Sequence, residues 1–185
     1  TKPPDLTEIR GAADLVRLHI GCFMRMRYST WGDAEVFPRM PRLQVMHILS
    51  RRLTTLRSMS HLSALLELKV QQNKKLVSLD GAQHLTKLQT LEMSHTAVAD
   101  LSPLRGLPLR RLHAHHTKIK DLQPLSTLSQ LSFLSAYKTG IKILAPIARL
   151  PLRALNIGQT GVKDPSPLRG MLTLERLDLS SSEHI

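Results

Sequence analysis

Leucine and other apolar residues recur along the chain in the pattern Leu-x-x-Leu-x-apolar, which returns about every 22 residues. The copies that begin at Leu88, Leu109 and Leu131 are the clearest. Further copies begin at positions 43, 65, 152 and 174, and a looser one begins at Leu15. Because the side chains of a strand alternate between its two faces, each copy predicts a short β-strand with one buried face.

The second half of each unit repeats as well. In the four units from position 88 onwards a proline stands fifteen positions after the start, and these are Pro103, Pro124, Pro146 and Pro167. Proline lacks an N–H and ends a helix, so the connecting segments are predicted to be irregular or 3₁₀ rather than long α-helices. A single unit cannot bury its own apolar face, whereas stacked units share one core. The sequence therefore predicts a solenoid of about eight stacked repeats.

The repeat Leu-x-x-Leu-x-Leu-x-x-Thr-x-(Ile/Val)-x-Asp-Leu-x-Pro-Leu resembles the short leucine-rich repeat of about 22 residues. Repeats of this class occur in bacterial internalins, in a phosphatase regulatory subunit and in a spliceosomal ribonucleoprotein subunit. The resemblance is close over residues 43–182 and loose over 15–42. It implies an α/β solenoid, which is a curved horseshoe with a parallel β-sheet on its concave side. Many such repeats have asparagine in the turn, as here at Asn73. Four units have threonine instead, and we expect its hydroxyl to bond the turn backbone less completely. These are Thr96, Thr117, Thr139 and Thr160.

Two regions differ in regularity. Residues 1–42 are predicted to form an N-terminal cap and an atypical first repeat, which carries an aromatic and basic insertion. One interpretation is that this insertion packs over the first unit. The other is a docking loop for a protein or single-stranded RNA, formed by Arg25, Arg27, Tyr28 and Trp31. Residues 43–185 are predicted to be regular repeats with an open C-terminal end, because no polar cap follows the last unit.

The repeat register also predicts a surface. Residues two, four and six positions after each unit start should point away from the core on the concave side, with the seventh at its edge. Residues at equal offsets in neighbouring units then form columns. Aromatic rings beside arginine and histidine, on a face that the core does not need, are typical anchors of a binding surface. The predicted partner-binding surface, here called the concave patch, consists of His95, Arg111, His113, His115, His116, Phe133, Tyr137 and Lys138.

Charge adds a second candidate surface. The chain has a formal net charge of +12 and a pI near 10.6, which favours acidic partners, either nucleic acid or an acidic protein face. Lysines recur eleven positions after the unit start and arginines seventeen after it, so they are predicted to form rows on the turn side that could follow RNA. Three aspartates beside the lysines partly neutralise these rows. The candidate RNA contacts are Lys120, Lys142, Lys163, Arg105 and Arg169, and the aspartates are Asp100, Asp121 and Asp164.

Catalysis and metal binding are not favoured by the sequence. Glu92, His113 and His115 could converge on a zinc ion, but Lys138 beside His116 repels a cation and no cysteine joins the group. We therefore predict no metal and no other cofactor. No nucleophile motif, glycine-rich phosphate loop or pair of carboxylates is present, so the chain is predicted not to be an enzyme and to take no small-molecule substrate.

The functional prediction is a non-catalytic scaffold or adaptor that recognises a protein partner, or a multi-subunit assembly, through the concave face. The alternative is a structural or assembly subunit of a ribonucleoprotein particle that contacts RNA through the turn side. A regulatory domain associated with an enzyme is a third interpretation. The single cysteine, Cys22, favours a reducing, intracellular compartment such as the cytoplasm or an organelle matrix. No apolar run reaches the length of a membrane span, so no membrane role is expected.

Overall fold

The fold is one open sheet of eight short parallel strands, paired in the order in which they occur along the chain. The structure is a computed structural model, and it describes residues 12–20, 37, 39–50 and 52–180. The strands are β1 (Arg17–Ile20), β2 (Val45–Ile48), β3 (Glu67–Lys69), β4 (Thr90–Glu92), β5 (Arg111–His113), β6 (Phe133–Ser135), β7 (Ala154–Asn156) and β8 (Arg176–Asp178). The predicted solenoid of about eight repeats is thereby confirmed.

Short 3₁₀ helices occupy the other side of the repeats, and the described part of the chain contains no α-helix. They span Ala12–Asp14, Arg57–Met59, Ala82–His84, Ser102–Leu104, Gln123–Thr127, Ala145–Ile147 and Ser166–Gly170. In the last four, proline lies in the first turn, where its missing N–H costs no hydrogen bond. Within the described ranges, no helix is long and apolar enough to cross a membrane.

The strand register matches the predicted columns. Leu91 of β4 pairs with Leu112 of β5, which pairs with Leu134 of β6, and this row points into the core. The neighbouring residues on each strand point to the opposite side. One outward column contains Arg17, Val45, Glu67, Thr90, Arg111, Phe133, Ala154 and Arg176. The other contains His19, His47, Lys69, Glu92, His113, Ser135, Asn156 and Asp178.

The core runs continuously between the sheet and the 3₁₀ side. Apolar residues ten, thirteen and sixteen positions after the unit start are buried along with the strand leucines, as Ile119, Leu122 and Leu125 illustrate. From the N-terminal region, Phe37 contributes to the same core. Burial decreases at the last strand, where Leu177 is 45% exposed while Leu134, its equivalent in β6, is 1% exposed.

Three aspartates at the same repeat position lie two residues before the first residue of a 3₁₀ helix. The carboxylate of Asp100 accepts a hydrogen bond from the N–H of Ser102 at 2.8 Å, and Asp121 accepts one from Gln123 at the same distance. Asp164 does the same with Ser166. From the sequence, only charge neutralisation was predicted for these carboxylates. Each also accepts a hydrogen bond from the N–H two residues later, at the start of a helix, as in an Asx-turn.

The turn threonines and Asn73 bond the backbone differently, as predicted. The Asn73 side-chain amide donates to the carbonyl of Val70 at 2.7 Å and to that of Ile48, in the preceding unit, at 2.8 Å. Its oxygen accepts a hydrogen bond from the N–H of Ser50. The hydroxyl of Thr117 donates only to the carbonyl of Ala114, three residues earlier, and the other turn threonines repeat this bond. Asparagine thus ties two units together, whereas threonine stabilises its own turn.

Candidate functional site

The concave patch is positioned by a regular backbone feature that follows each strand. The residue seven positions after the unit start has a positive φ, between 50° and 65°, in five successive units. Its N–H donates to the carbonyl of the residue six positions after the start of the next unit, as between His95 and His115 at 3.0 Å and between His116 and Tyr137 at 2.9 Å. The ladder therefore continues beyond the strands and fixes the spacing of these side chains. The residues at this position are Gln72, His95, His116, Lys138 and Gln159.

One half of the concave patch is centred on Phe133. The Arg111 guanidinium carbon lies 4.7 Å from the centre of the Phe133 ring, within the range of a cation–π contact. The ring of His113 lies on the same phenyl group, with ring centres 4.5 Å apart. Phe133 is only half-buried, although it lies on a central strand. The structure therefore brings together three of the predicted partner-binding residues around an accessible aromatic ring.

The other half contains three histidines, here called the histidine cluster: His95, His115 and His116. The rings of His95 and His116 stack, with centres 4.3 Å apart and planes inclined by 22°. The His115 ring meets the His95 ring edge-on at 5.0 Å. The Nδ1 atoms of His115 and His116 lie 3.1 Å apart. The Tyr137 ring packs against His116 at 5.5 Å, and the Lys138 side chain is exposed beside it.

Burial and neighbouring positive charges favour the neutral form of several of these imidazoles. Burial lowers the pKa of His113, and the positive charges of Arg111 and Lys69 lower it further, against the opposing effect of Glu92. Burial also lowers the pKa of His115, and so does the proximity of the other cluster histidines. At His116 the pKa is lowered by burial first, then by His95 and Lys138. These rings are therefore hydrogen-bonding and coordinating groups at neutral pH rather than cations.

A second histidine group at the N-terminal end of the sheet was not among the predicted site residues. The rings of His19 and His47 lie 4.1 Å apart, and His47 Nε2 lies 2.7 Å from Oε1 of Glu67. The Lys69 ammonium lies 3.0 Å from the same carboxylate oxygen. The hydrogen bond with His47 lowers the pKa of Glu67 most, and the hydrogen bond and charge of Lys69 lower it further, against the opposing effect of burial. The column positions of these residues were visible in the sequence. Their convergence was not predicted, because the histidines of this group are far apart in the sequence, unlike the dense run at 113–116.

The predicted basic rows lie on the surface. Lys120, Lys142 and Lys163, here called the lysine row, are all exposed, as are Arg105 and Arg169. The aliphatic stem of Lys120 passes over Gly140, where an added Cβ would lie 2.8 Å from its Cγ. Lys142 passes over Gly161 in the same way, at 3.0 Å. Among the described residues, none of the lysine row forms an ion pair with a carboxylate.

The predicted docking loop cannot be placed, because Arg25, Arg27, Tyr28 and Trp31 lie outside the described residues. The candidate zinc ligands Glu92, His113 and His115 do not form a group close enough to share an ion, and the His113 ring packs on Phe133 instead. Within the described ranges, the group of three such side chains that could share a metal ion is the histidine cluster.

No protein-family model matches the chain, and comparison with curated proteins gives no match. Comparison with solved structures finds leucine-rich-repeat proteins. An internalin of Listeria monocytogenes, InlF, is 26% identical with a TM-score of 0.68, over 75% of this chain and 41% of that one. Another internalin of the same organism, InlC2, is 24% identical with a TM-score of 0.71, over 75% and 62% of the two chains. The chain thus spans less than two thirds of the length of either internalin.

The sheet, its 3₁₀ connections and these neighbours define the class of this protein as a leucine-rich-repeat solenoid. Within that class it is similar to the internalins. A more distant neighbour of the same fold is the plant peptide hormone receptor RGFR1, solved in complex with RGF2; it is 16% identical over 77% of this chain and 29% of that one, with a TM-score of 0.57. These neighbours share the leucine-rich-repeat fold with this chain.

Proposed function

We propose that this protein is a non-catalytic scaffold or adaptor that recognises a protein partner through the concave patch. The observation that carries the proposal is the accessible Phe133 ring, held between Arg111 and His113 on a face that the core does not use. Aromatic and arginine side chains supply most of the binding energy in many protein interfaces. Here they are already fixed by contacts with each other, so little side-chain freedom would be lost on binding.

The solenoid also determines the kind of surface that is offered. Stacked repeats form an extended sheet face rather than a closed pocket, which suits a protein or peptide better than a small molecule. The proposal includes an intracellular location, which rests on the single Cys22 in the sequence. It also includes residues 1–42 as a cap for the regular repeats. The burial of Phe37 in the common core supports that cap.

The test compares partner binding by the wild-type chain and by a Phe133→Ala/Tyr137→Ala double variant. Partners are captured from native cells, treated with ribonuclease and identified by mass spectrometry, and the affinity of the purified partner is then measured. Loss of the two aromatic anchors is expected to weaken binding by about 2 kcal/mol or more, or roughly 30-fold. Ile143→Ala is the matched control, because Ile143 is 67% exposed and lies in the turn segment after β6 rather than on the sheet face. Equal affinities of the two variants would reject the concave patch.

A second candidate function is RNA binding within a ribonucleoprotein particle, and the lysine row is the observation that favours it. Its three ammonium groups recur once per repeat, are exposed, and are free of ion pairs among the described residues. Each lysine that contacts a phosphate of single-stranded RNA contributes about 0.7 to the slope of log affinity against log salt concentration.

Replacing all three lysines by glutamine is therefore expected to reduce that slope by about 2. The measurement is RNA retention by the purified chain at several salt concentrations. The matched control is Lys74→Gln/Lys75→Gln/Lys87→Gln, which removes the same charge from positions outside the row. An equal reduction in both variants would show a general charge effect and reject the lysine row as an RNA site.

A further inference from the structure

We infer that the histidine cluster is a binding site for one divalent transition-metal ion, of which Zn²⁺ is the best match. Each of His95, His115 and His116 offers one ring nitrogen, and the three nitrogens lie within 4.8 Å of one another. Imidazole is a preferred ligand of zinc, copper and nickel. The inference does not depend on the proposed scaffold function, since the site is built from this chain alone.

The ring geometry suits a shared ion. Two imidazole nitrogens bound to one tetrahedral zinc at about 2.0–2.1 Å lie about 3.3 Å apart. The Nδ1 atoms of His115 and His116 are already 3.1 Å apart. A nitrogen of the third ligand, His95, lies within 4.8 Å of the other two. Rotation of this partly exposed side chain can bring it closer. The backbone ladder between His95 and His115 holds the two units in the register that the site requires.

The surroundings fit a three-ligand site with a remaining position for water or for a donor from a partner. Partial burial favours the neutral imidazole, which is the form that binds a metal ion. The positive charge of Lys138 disfavours the binding of a cation. Its side chain is exposed, however, so solvent screens this repulsion.

Three glutamine variants test the site without disturbing the turn. Glutamine already occupies the left-handed position equivalent to His95 and His116 in two other units, at Gln72 and Gln159. His95→Gln and His116→Gln should therefore keep the backbone intact, and His115→Gln completes the set. The matched control is His113→Gln, because the His113 ring faces Phe133 rather than the cluster.

The experiment uses the full chain without a histidine tag, treated with chelator and then titrated with Zn²⁺ by calorimetry and with Co²⁺ by visible absorption. The expected result is one ion per chain, with intense tetrahedral-type Co²⁺ bands. Each cluster variant should weaken Zn²⁺ binding at least tenfold, His113→Gln should leave it unchanged, and Lys138→Ala should strengthen it a few-fold. The inference is overturned by absence of a saturable one-to-one titration, by equal losses in His113→Gln, or by unchanged binding when all three cluster histidines are replaced.

Discussion

At the scale of single residues, the turn position held by either asparagine or threonine gives a direct comparison within one molecule. Asn73 is fully buried and bonds the backbone of two units, whereas Thr117 makes one bond to its own unit. Asn73→Ala leaves buried backbone groups without partners, at about 1–3 kcal/mol each. We expect it to lower the free energy of unfolding by about 3 kcal/mol, measured by urea denaturation.

Thr117→Val is the control for this comparison, because it removes one hydrogen bond and keeps the shape of the side chain. The expected cost is about 1 kcal/mol. A cost for Asn73→Ala that does not exceed that of Thr117→Val would contradict the assignment of Asn73 as a link between units.

The histidines of the concave face make stability depend on pH. The pKa values of His113, His115 and His116 are lowered from the ordinary value of 6.5 in the folded chain, first of all by burial. The unfolded chain therefore binds more protons than the folded chain as the pH falls below that value, and stability is lost on acidification. The contribution of these histidines to the free energy of unfolding is fully present above the ordinary pKa. It is lost as the pH falls through the lowered pKa values of the folded chain.

The measurement is the free energy of unfolding between pH 7.5 and 5, in the presence of chelator. We expect a steeper loss for the wild-type chain than for a His113→Gln/His115→Gln variant. Parallel curves would show that these two histidines do not have lowered pKa values. The comparison between chains is needed because Glu67, whose pKa is also lowered, contributes a loss of the same sign at lower pH in both.

At the scale of the element, two glycines with positive φ allow two costs of a side chain to be compared. One cost is backbone strain, and the other is a clash between the added Cβ and a neighbouring turn. Gly81 has a φ of 105° and precedes the 3₁₀ helix Ala82–His84, and a Cβ there would overlap the carbonyl of Leu56. Gly106 has a φ of 72°, but an added Cβ would meet nothing within 4 Å. Gly106→Ala should therefore cost only backbone strain, about 1 kcal/mol.

Gly81→Ala is expected to cost at least about 3 kcal/mol, since the backbone of two neighbouring units must move apart to admit the methyl group. Chemical denaturation of both variants under the same conditions measures the difference. Similar losses of stability in the two variants would show that close packing between turns does not restrict position 81.

The elements themselves were predictable from the sequence, and the reason is periodicity. A repeat of about 22 residues fixes both the strand positions and their register, so the column that joins Arg111 to Phe133 followed from counting alone. The 3₁₀ segments followed from the prolines.

The exact partners around the histidine cluster did not follow from the sequence, because they depend on the left-handed backbone at His95 and His116. The left-handed conformation recurs in five successive units, but no glycine marks it in the sequence. Glutamine, histidine and lysine all occur at this position. The second role of Asp121 was missed for a related reason, since its hydrogen bond to Gln123 is local.

At the scale of the whole molecule, each unit contacts mainly its neighbours in the stack, so stability is a sum of unit and interface contributions. A leucine in the middle of the stack is covered from both sides, whereas one in β8 is covered less. Leu112 is fully buried, and Leu177, at the equivalent position of the last strand, is 45% exposed. Truncating a fully buried leucine to alanine costs about 2–5 kcal/mol, because apolar burial is lost and a cavity remains.

We therefore expect Leu112→Ala to lower the free energy of unfolding by about 3 kcal/mol or more, and Leu177→Ala to lower it by about 1 kcal/mol. Amide hydrogen exchange adds a spatial measurement. In the wild-type chain, protection should be greatest in β4–β6 and decrease towards β8, because local opening requires fewer interfaces to break at the end of a stack. Leu112→Ala should reduce protection on both sides of β5, while Leu177→Ala should affect only β7 and β8. Uniform loss of protection in both variants would indicate that the described repeats unfold as one cooperative unit rather than by nearest-neighbour coupling.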